Sequence, residues 1–351
     1  MINIEVSASR KYTVSIGEGL LNKVGEMILK LKKPGTVVIV TDDIVDSLYS
    51  AAVMNSLENN GYTVKKFVFP NGEQSKNLDT YTKILGFFAD SQLTRTDFAV
   101  ALGGGVVGDI TGFAAATFLR GIDFVQVPTT LLAAVDSSVG GKTGVDLPEG
   151  KNLVGAFHQP IAVICDTNTL KTLPDDIFSA GIAEAIKSGA IRDEKLFQLI
   201  ENGDTAQNIT DIISGSVSIK RDIVEADEHE AGDRKLLNFG HTIGHAIEKL
   251  SNFEISHGHA VAVGMIIASR IAEKTGFAIE PCTDRIIEAL QNNSLPTECK
   301  YNGHELATVA LADKKRSGGN ITLILPRQIG CCAQMTIPVS LLEETIALGM
   351  Q

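Results

Sequence analysis

Short apolar runs punctuate the first half of the chain: TVVIVTDD (36–43), YTVKKFVFP (62–70), DFAVALGGG (97–105), DFVQVPTT (123–130) and IAVICDTN (161–168). A strand that is apolar at successive positions is buried on both faces, and helix-length spacers between such strands supply crossovers. The pattern predicts a parallel sheet with helices on both sides. Ahead of it, MINIEVSASRKYTVSIG alternates with the period of a strand. After Leu173-Pro174 the period lengthens. Helical patterning dominates from Asp175 to Glu288, and only ITLILP (321–326) and AQMTIP (333–338) return to strand. The expectation is an α/β plus α protein, with an α/β domain over 1–172 and a mainly helical domain over 173–351, and with no internal repeat.

Composition narrows the class. With 351 residues, 44% of them hydrophobic, the chain can build two cores, because single cores stop growing near roughly 250–300 residues. A net charge of −11 and a pI near 5.2 argue against nucleic acid or an anionic membrane as partner. The five cysteines have no zinc-finger spacing, and the adjacent pair Cys331-Cys332 is a poor start for a disulfide framework, so a reducing cytoplasm is expected. No apolar run approaches the ~18 residues of a membrane span.

GGGVVGDITG (103–112) follows a strand and opens a helix, matching G-x-G-x-x-G through Gly103, Gly105 and Gly108. Glycines there let the backbone approach a pyrophosphate at a helix N-terminus, a Rossmann-like arrangement; a tight strand-to-helix turn is the plainer reading. The acid that would hold a ribose should end a strand. Asp123 begins one, whereas Asp42 and Asp43 end TVVIVT, so a dinucleotide would sit on a variant arrangement. The turn PNGEQSK brings Glu73 and Lys76 to another strand exit.

NFGHTIGHAIE (238–248) sets two histidines four apart in a helical pattern. On a helical wheel Phe239, Ile243, Ala246, Ile247 and Leu250 share one side, with His241, His245 and Glu248 roughly opposite. A solvated polar face would explain them. Against that, Gly240 and Gly244 directly precede the histidines, and glycine within a helix costs about 1 kcal/mol relative to alanine, which suggests close approach by something else. His257 and His259 follow in SHGHAVAVGM, and AGIAEAIKSG offers Glu184 and Lys187 three apart, an ordinary ion-pair spacing. A catalytic zinc takes three such ligands and keeps one position open, but spacing does not choose among these residues. Arg120, Asp136, Lys142, Lys151 and Asn152 fall in Gly-, Ser- and Thr-rich stretches that read as loops. With Lys220, Arg234, Asn238 and DKKR (313–316), they favour a small polyanionic substrate in an otherwise acidic chain.

GGGVVGDITGFAAATFLRGIDFVQVPTTLLAAVDSSVGGKTGVD, GKNLVGAFHQP, AGIAEAIKSG, RKLLNFGHTIGHAIE and HGHAVAVGM, in this order, resemble the 3-dehydroquinate synthase family. The resemblance spans essentially the whole chain. It implies an N-terminal Rossmann-like NAD-binding domain and a C-terminal helical metal-binding domain. It also implies a cytoplasmic homodimer that converts 3-deoxy-D-arabino-heptulosonate 7-phosphate to 3-dehydroquinate and phosphate by transient oxidation with NAD, elimination, re-reduction and aldol closure. By motif match, Glu184, His241 and His257 would hold Zn2+ or Co2+. His245, Lys142, Asn152 and Lys314 would share the substrate phosphate, with Arg120 from a second subunit. Lys220, Arg234 and Asn238 would take the carboxylate, and Asp136 and Lys187 the ring hydroxyls. For NAD the matches are Asp42, Glu73, Lys76, Gly104, Gly105, Val106, Asp109, Thr129, Thr130, Leu132, Lys142, Lys151 and Thr172. One departure stands out: His259 occupies a position where the family usually has Glu. Two rivals share the plan, another sugar phosphate cyclase such as 2-deoxy-scyllo-inosose synthase and a metal-dependent polyol dehydrogenase. The joint presence of Lys220, Arg234 and Asn238 speaks against the first, and the phosphate-binding set against the second.

Overall fold

Each apolar run becomes a strand. The computed structural model describes residues 1–314 and 319–351, with side chains described for 1–311 and 319–351. The strands are β1 (Ile2–Ser7), β2 (Lys11–Gly17), β3 (Thr36–Asp42), β4 (Thr63–Phe69), β5 (Phe98–Gly103), β6 (Asp123–Pro128), β7 (Lys142–Leu147), β8 (Gly150–Phe157), β9 (Ala162–Asp166), β10 (Asn320–Gln328) and β11 (Cys331–Pro338). Two compact units form: Met1–Leu173 with Lys220–His229, and Pro174–Ile219 with Glu230–Gln351. The helix Ile209–Ala226 therefore belongs partly to each. No described helix is long and apolar enough to cross a membrane.

In the first unit, seven strands among the described residues pair in the order β1-β2-β9-β6-β5-β3-β4. All neighbours run parallel except β1 and β2. Alternation assigns the faces. Val37, Ile39, Phe98, Val100 and Leu102 pack with Val24, Ile28, Val53 and Leu57, while Val38, Val40, Ala99 and Ala101 pack with Ile84, Phe88, Ile110 and Ala114. Burying one such large side chain contributes about 1.5–3 kcal/mol, so both helical layers are held firmly. From β3 the chain crosses to β4 on one side and then back to β5 on the other. The strand order thus reverses at the carboxyl ends of β3 and β5, where Asp42 and the glycine loop lie. In open α/β sheets that is where ligands bind.

One expectation is corrected here. The segment containing Lys142, Lys151 and Asn152 is not loop; β7 and β8 form an antiparallel hairpin whose register slips between Val145 and Leu147. Its outward positions mix Lys142 and Asn152 with the exposed Leu153 and Phe157, and glycines interrupt both strands, which hid the strand period.

The second unit is mainly helical, with the β10-β11 hairpin packed on it. The helix His257–Lys274 is buried nearly all round and packs on the helices Asp175–Arg192 and His241–Leu250. The glycines explain the closeness. A Cβ on Gly258 would lie 2.1 Å from the Ala180 carbonyl oxygen, and one on Gly264 would lie 2.1 Å from that of Gly240. Gly240 itself caps its helix in the left-handed region at φ 78°. The close neighbour that Gly240 and Gly244 anticipated is the backbone of Ala260, Val261 and Met265, with the Met265 side chain.

Gly264→Ala tests this packing. Helix propensity alone would stabilise the variant by about 1 kcal/mol. The added methyl meets backbone that no rotamer can relieve, and overpacking costs about 1–3 kcal/mol or more. The expected result is a lower urea midpoint with an unchanged m-value; a raised midpoint would refute the close approach.

Candidate active site

Three helices deliver three ligand-type side chains to one point. Glu184 comes from the middle of Asp175–Arg192, His241 from the first position of its helix and His257 from the first position of the next. The Glu184 Oε1 lies 3.8 Å from His241 Nε2 and 3.4 Å from His257 Nε2. The donor atoms of all three fall within 4.8 Å of one another. Glu184 is 1% exposed, with Oε2 ion-paired to Lys187 and Oε1 faced by both histidine Nε2 atoms. Two imidazole nitrogens and an ionised carboxylate converging on one buried point form a donor set that suits a divalent cation.

The imidazoles are prepared for the same role. His241 Nδ1 lies 3.2 Å from the Phe239 carbonyl oxygen, and His257 Nδ1 lies 3.0 Å from Glu248 Oε2. Each Nδ1–H donates outward, which leaves each Nε2 turned toward Glu184. Such outer partners fix the tautomer and orientation of metal-binding histidines. The alternative of a solvated polar face does not hold for Glu248: it is 2% exposed and bonds His257 at the start of the helix His257–Lys274, which packs against its own helix. Glu248 is the residue the motif reading left without a role, although it stands three positions after His245 on the same stripe.

Electrostatics follow from this packing. Burial pulls the Glu184 carboxyl upward, but Lys187 and the two imidazoles override it and hold it well below the usual carboxylate range. Burial, then the Lys187 charge, drives His241 well below its ordinary value. Burial would do the same to His257, but hydrogen bonds to Glu184 and Glu248 win and push it up to about 10. Lys187, itself buried, pairs with Glu184 one turn along the helix. His245 is exposed, its ring 5.4 Å from that of His241 and 5.7 Å from that of His257. Arg234 is 1% exposed in the short helix Asp233–Asn238, and Asn238 Nδ2 donates to Glu230 Oε1 at 2.7 Å. His259 Nε2 lies 3.1 Å from Ser179 Oγ, facing the start of the Glu184 helix rather than joining the cluster.

In the first unit the glycine loop caps the helix Gly105–Thr117. Gly104 provides no side-chain cap, leaving the first amides, including that of Val106, for another acceptor. The outer glycines also serve packing: Cβ atoms at Gly108 and Gly112 would lie 2.6 Å from Gln126 Oε1 and 2.4 Å from Thr143 Cγ2. Thr129 Oγ1 is buried beside the loop with no hydrogen-bond partner, and Thr130 stands against Gly104. Asp42 caps the turn after β3, accepting from Ile44 and Val45 amides at 3.0 and 2.9 Å. Lys76 Nζ donates to Asp109 Oδ2 and to Asn152 Oδ1, both at 2.6 Å, and Lys151 stands 3.7 Å from Glu73. Lys220 Nζ donates to Asp136 Oδ1 at 2.7 Å, in the turn that follows Leu132. Thr172 bonds Tyr49 through their hydroxyls. Lys142 opens β7 and is exposed, as is Arg120, held at φ 67°. Asp123 pairs with Arg10 and Lys32, far from a ribose-binding role at a strand's end. Lys314 ends the helix Gly303–Lys314, and its side chain lies outside the described residues.

The sheet's switch point and the helical Glu/His/His cluster define the class: the fold is that of the NAD-linked sugar phosphate cyclases. A solved 2-deoxy-scyllo-inosose synthase, complexed with carbaglucose-6-phosphate, NAD+ and Co2+, is similar at a TM-score of 0.88 and 29% identity, covering 99% of each chain. Sequence fixes the family more closely. The family models for 3-dehydroquinate synthase N-terminal and C-terminal match residues 66–180 and 181–316. The 3-dehydroquinate synthase of Clostridium botulinum (strain Alaska E43 / Type E3) is 45% identical over 92% of this chain and 93% of its own. That of Streptococcus thermophilus (strain CNRZ 1066) is 43% identical over 98% and 99%. The chain belongs to the 3-dehydroquinate synthase family.

A divalent cation bound by this cluster must displace the proton that Glu184 and Glu248 hold on His257, while His241 is already neutral. Between pH 6.5 and 8 the zinc association constant should therefore rise about tenfold per pH unit, with one proton released per ion. Calorimetry in buffers of different ionisation heat reads this directly; a pH-independent constant would refute it. Glu248→Gln should weaken zinc binding about 10–100-fold in a chelator competition.

Proposed function

We propose that this chain is a working 3-dehydroquinate synthase: a phosphate-eliminating carbon–oxygen lyase that depends on NAD and a divalent metal, zinc or cobalt. It would convert 3-deoxy-D-arabino-heptulosonate 7-phosphate to 3-dehydroquinate. The observation that carries the reading is the buried Glu184 carboxylate, faced by two Nε2 atoms within one cluster of ligand-type donors, in a chain of this family. When bound, the cation supplies Lewis acidity to a substrate hydroxyl, and NAD supplies a hydride acceptor that is regenerated within each cycle.

The residues divide the remaining work. Glu184, His241 and His257 hold the cation and Glu248 orients His257. Glycine-loop amides of Gly104, Gly105 and Val106, with Asp42, Glu73, Lys76, Asp109, Thr129, Thr130, Leu132, Lys142, Lys151 and Thr172, bind the dinucleotide. Lys220, Arg234 and Asn238 take the substrate carboxylate; the bidentate fork of a buried arginine suits that group. Asp136 and Lys187 hold ring hydroxyls. Lys142, Asn152, His245 and Lys314 take the phosphate, with Arg120 from the second copy in a cytoplasmic homodimer. Oxidation beside the phosphate-bearing carbon acidifies the neighbouring C–H, and elimination follows. A site that fixes the chain near its closing geometry favours the final aldol step.

Discrimination from other cyclases rests on the carboxylate-binding group, since 2-deoxy-scyllo-inosose synthase chemistry needs none. The decisive assay is phosphate release from 3-deoxy-D-arabino-heptulosonate 7-phosphate with NAD and zinc present. Phosphate should appear without net NADH and cease with chelator. Absence of release from loaded protein, with release from glucose 6-phosphate, would move the assignment to the other cyclase. Arg234→Met should raise KM by about two to three orders of magnitude, the loss of a charge-assisted pair of hydrogen bonds.

A further inference from the structure

We infer that Asp146 is a positioning residue that sets the geometry of Lys76 and Asn152, and through them of the dinucleotide and phosphate groups. The inference rests on the reading of those two residues under Proposed function. Asp146 lies on β7 where the hairpin register slips between Val145 and Leu147. An irregularity of this kind re-aims a side chain that a regular ladder would send elsewhere.

Asp146 holds two segments at once. Its amide donates to the Lys76 carbonyl oxygen at 2.8 Å, and it forms an isolated parallel bridge with Asn77, so the PNGEQSK turn is pinned to β7. Its Oδ1 accepts the Asn152 amide at 2.7 Å. Asn152 sits at φ 56°, in the left-handed region where a non-glycine residue is strained, though asparagine less than most. A charge-assisted hydrogen bond at that amide stabilises the turned backbone. In that conformation the Asn152 carboxamide meets Lys76 Nζ at 2.6 Å, while the same ammonium meets Asp109 at 2.6 Å. The ammonium is thus fixed between Asp109 and Asn152, and Asp146 anchors the backbone on both sides of the Lys76–Asn152 contact. Lys76 Nζ makes these hydrogen bonds to Asp109 and Asn152; the Asp146 charge favours that ammonium from a distance, while Asp146 positions it through the two pinned segments.

The carboxylate acts as an acceptor, and an amide oxygen in the same place can accept too. Asp146→Asn should keep NAD affinity within about threefold, whereas Asp146→Ala should weaken it at least about tenfold, the loss of one hydrogen bond to a charged group. Titration of NAD into the zinc-loaded protein, followed by calorimetry, reads this. Asn152→Gly admits the left-handed backbone without strain. If Asp146 acts through Asn152, adding Asp146→Ala to Asn152→Gly should cost less than about threefold further, a strong non-additivity. Wild-type binding with an unaffected Asp146→Ala, an Asn variant as weak as the Ala variant, or additive losses each overturn the inference. So does a chain that fails to fold in both Asp146→Ala and Asp146→Ser, since the residue then serves the fold. Failure of the wild-type protein to bind NAD overturns the dinucleotide reading itself, and the inference with it.

Discussion

Much of the second unit is arranged around one buried charge. Glu184 is 1% exposed, at the centre of a helix that is itself covered on most sides. An isolated carboxylate in that position would take up a proton, because the desolvation cost is several kcal/mol even after relaxation. Lys187 and the two histidines prevent it. A lysine one helical turn away would be a few-tenths contribution on a solvated face. Buried, it is indispensable, since removing one partner of a buried pair typically costs about 3–5 kcal/mol. The same contacts that keep Glu184 ionised also turn the Nε2 atoms toward it, so charge and ligand geometry have one origin.

That arrangement requires helices closer than ordinary side chains permit. Gly258 against Ala180, and Gly264 against Gly240, bring three backbones together. Gly258 and Gly264, within their helix, cost helix propensity, and the close contact is what offsets it. The histidines stand at the first positions of their helices, where Gly240 and Ser256 lead in with non-helical backbone. Their rings can therefore point back across the helix ends at Glu184.

How much of this was legible in the sequence varies with the physics of each element. The parallel strands were readable because burial on both faces leaves an uninterrupted apolar run, as in Thr36–Asp42. The glycines before His241 and His245 announced close packing, though not the identity of the neighbour. The β7-β8 hairpin was obscured because it packs only one face, and Gly144 and Gly155 approach each other's strand too closely for side chains. The return of Lys220–His229 to the first unit is carried by long-range contacts, such as Glu225 with the Ser7 amide and Glu228 with Ser9. No local period encodes those. Glu248 was visible as a position but not as a partner, since only the fold shows that a helix covers its side.

The cations proposed to meet substrate and dinucleotide raise a final physical point. The chain is acidic overall, and several of these cations are matched to a carboxylate within it: Lys76 to Asp109, Lys187 to Glu184, Lys220 to Asp136. Pairing lets an ammonium stay charged while buried, since Asp109 and its neighbours outweigh the burial that would otherwise discharge Lys76. It also fixes the ammonium's position, reducing the rotamer entropy lost when an anion binds. An arriving phosphate or carboxylate must then share or displace an internal partner, which lowers gross affinity but rejects anions that do not reach several cations together. For a small substrate carrying both groups, that trade favours discrimination over tight binding, and a modest ground-state affinity leaves more of the interaction energy for the transition state.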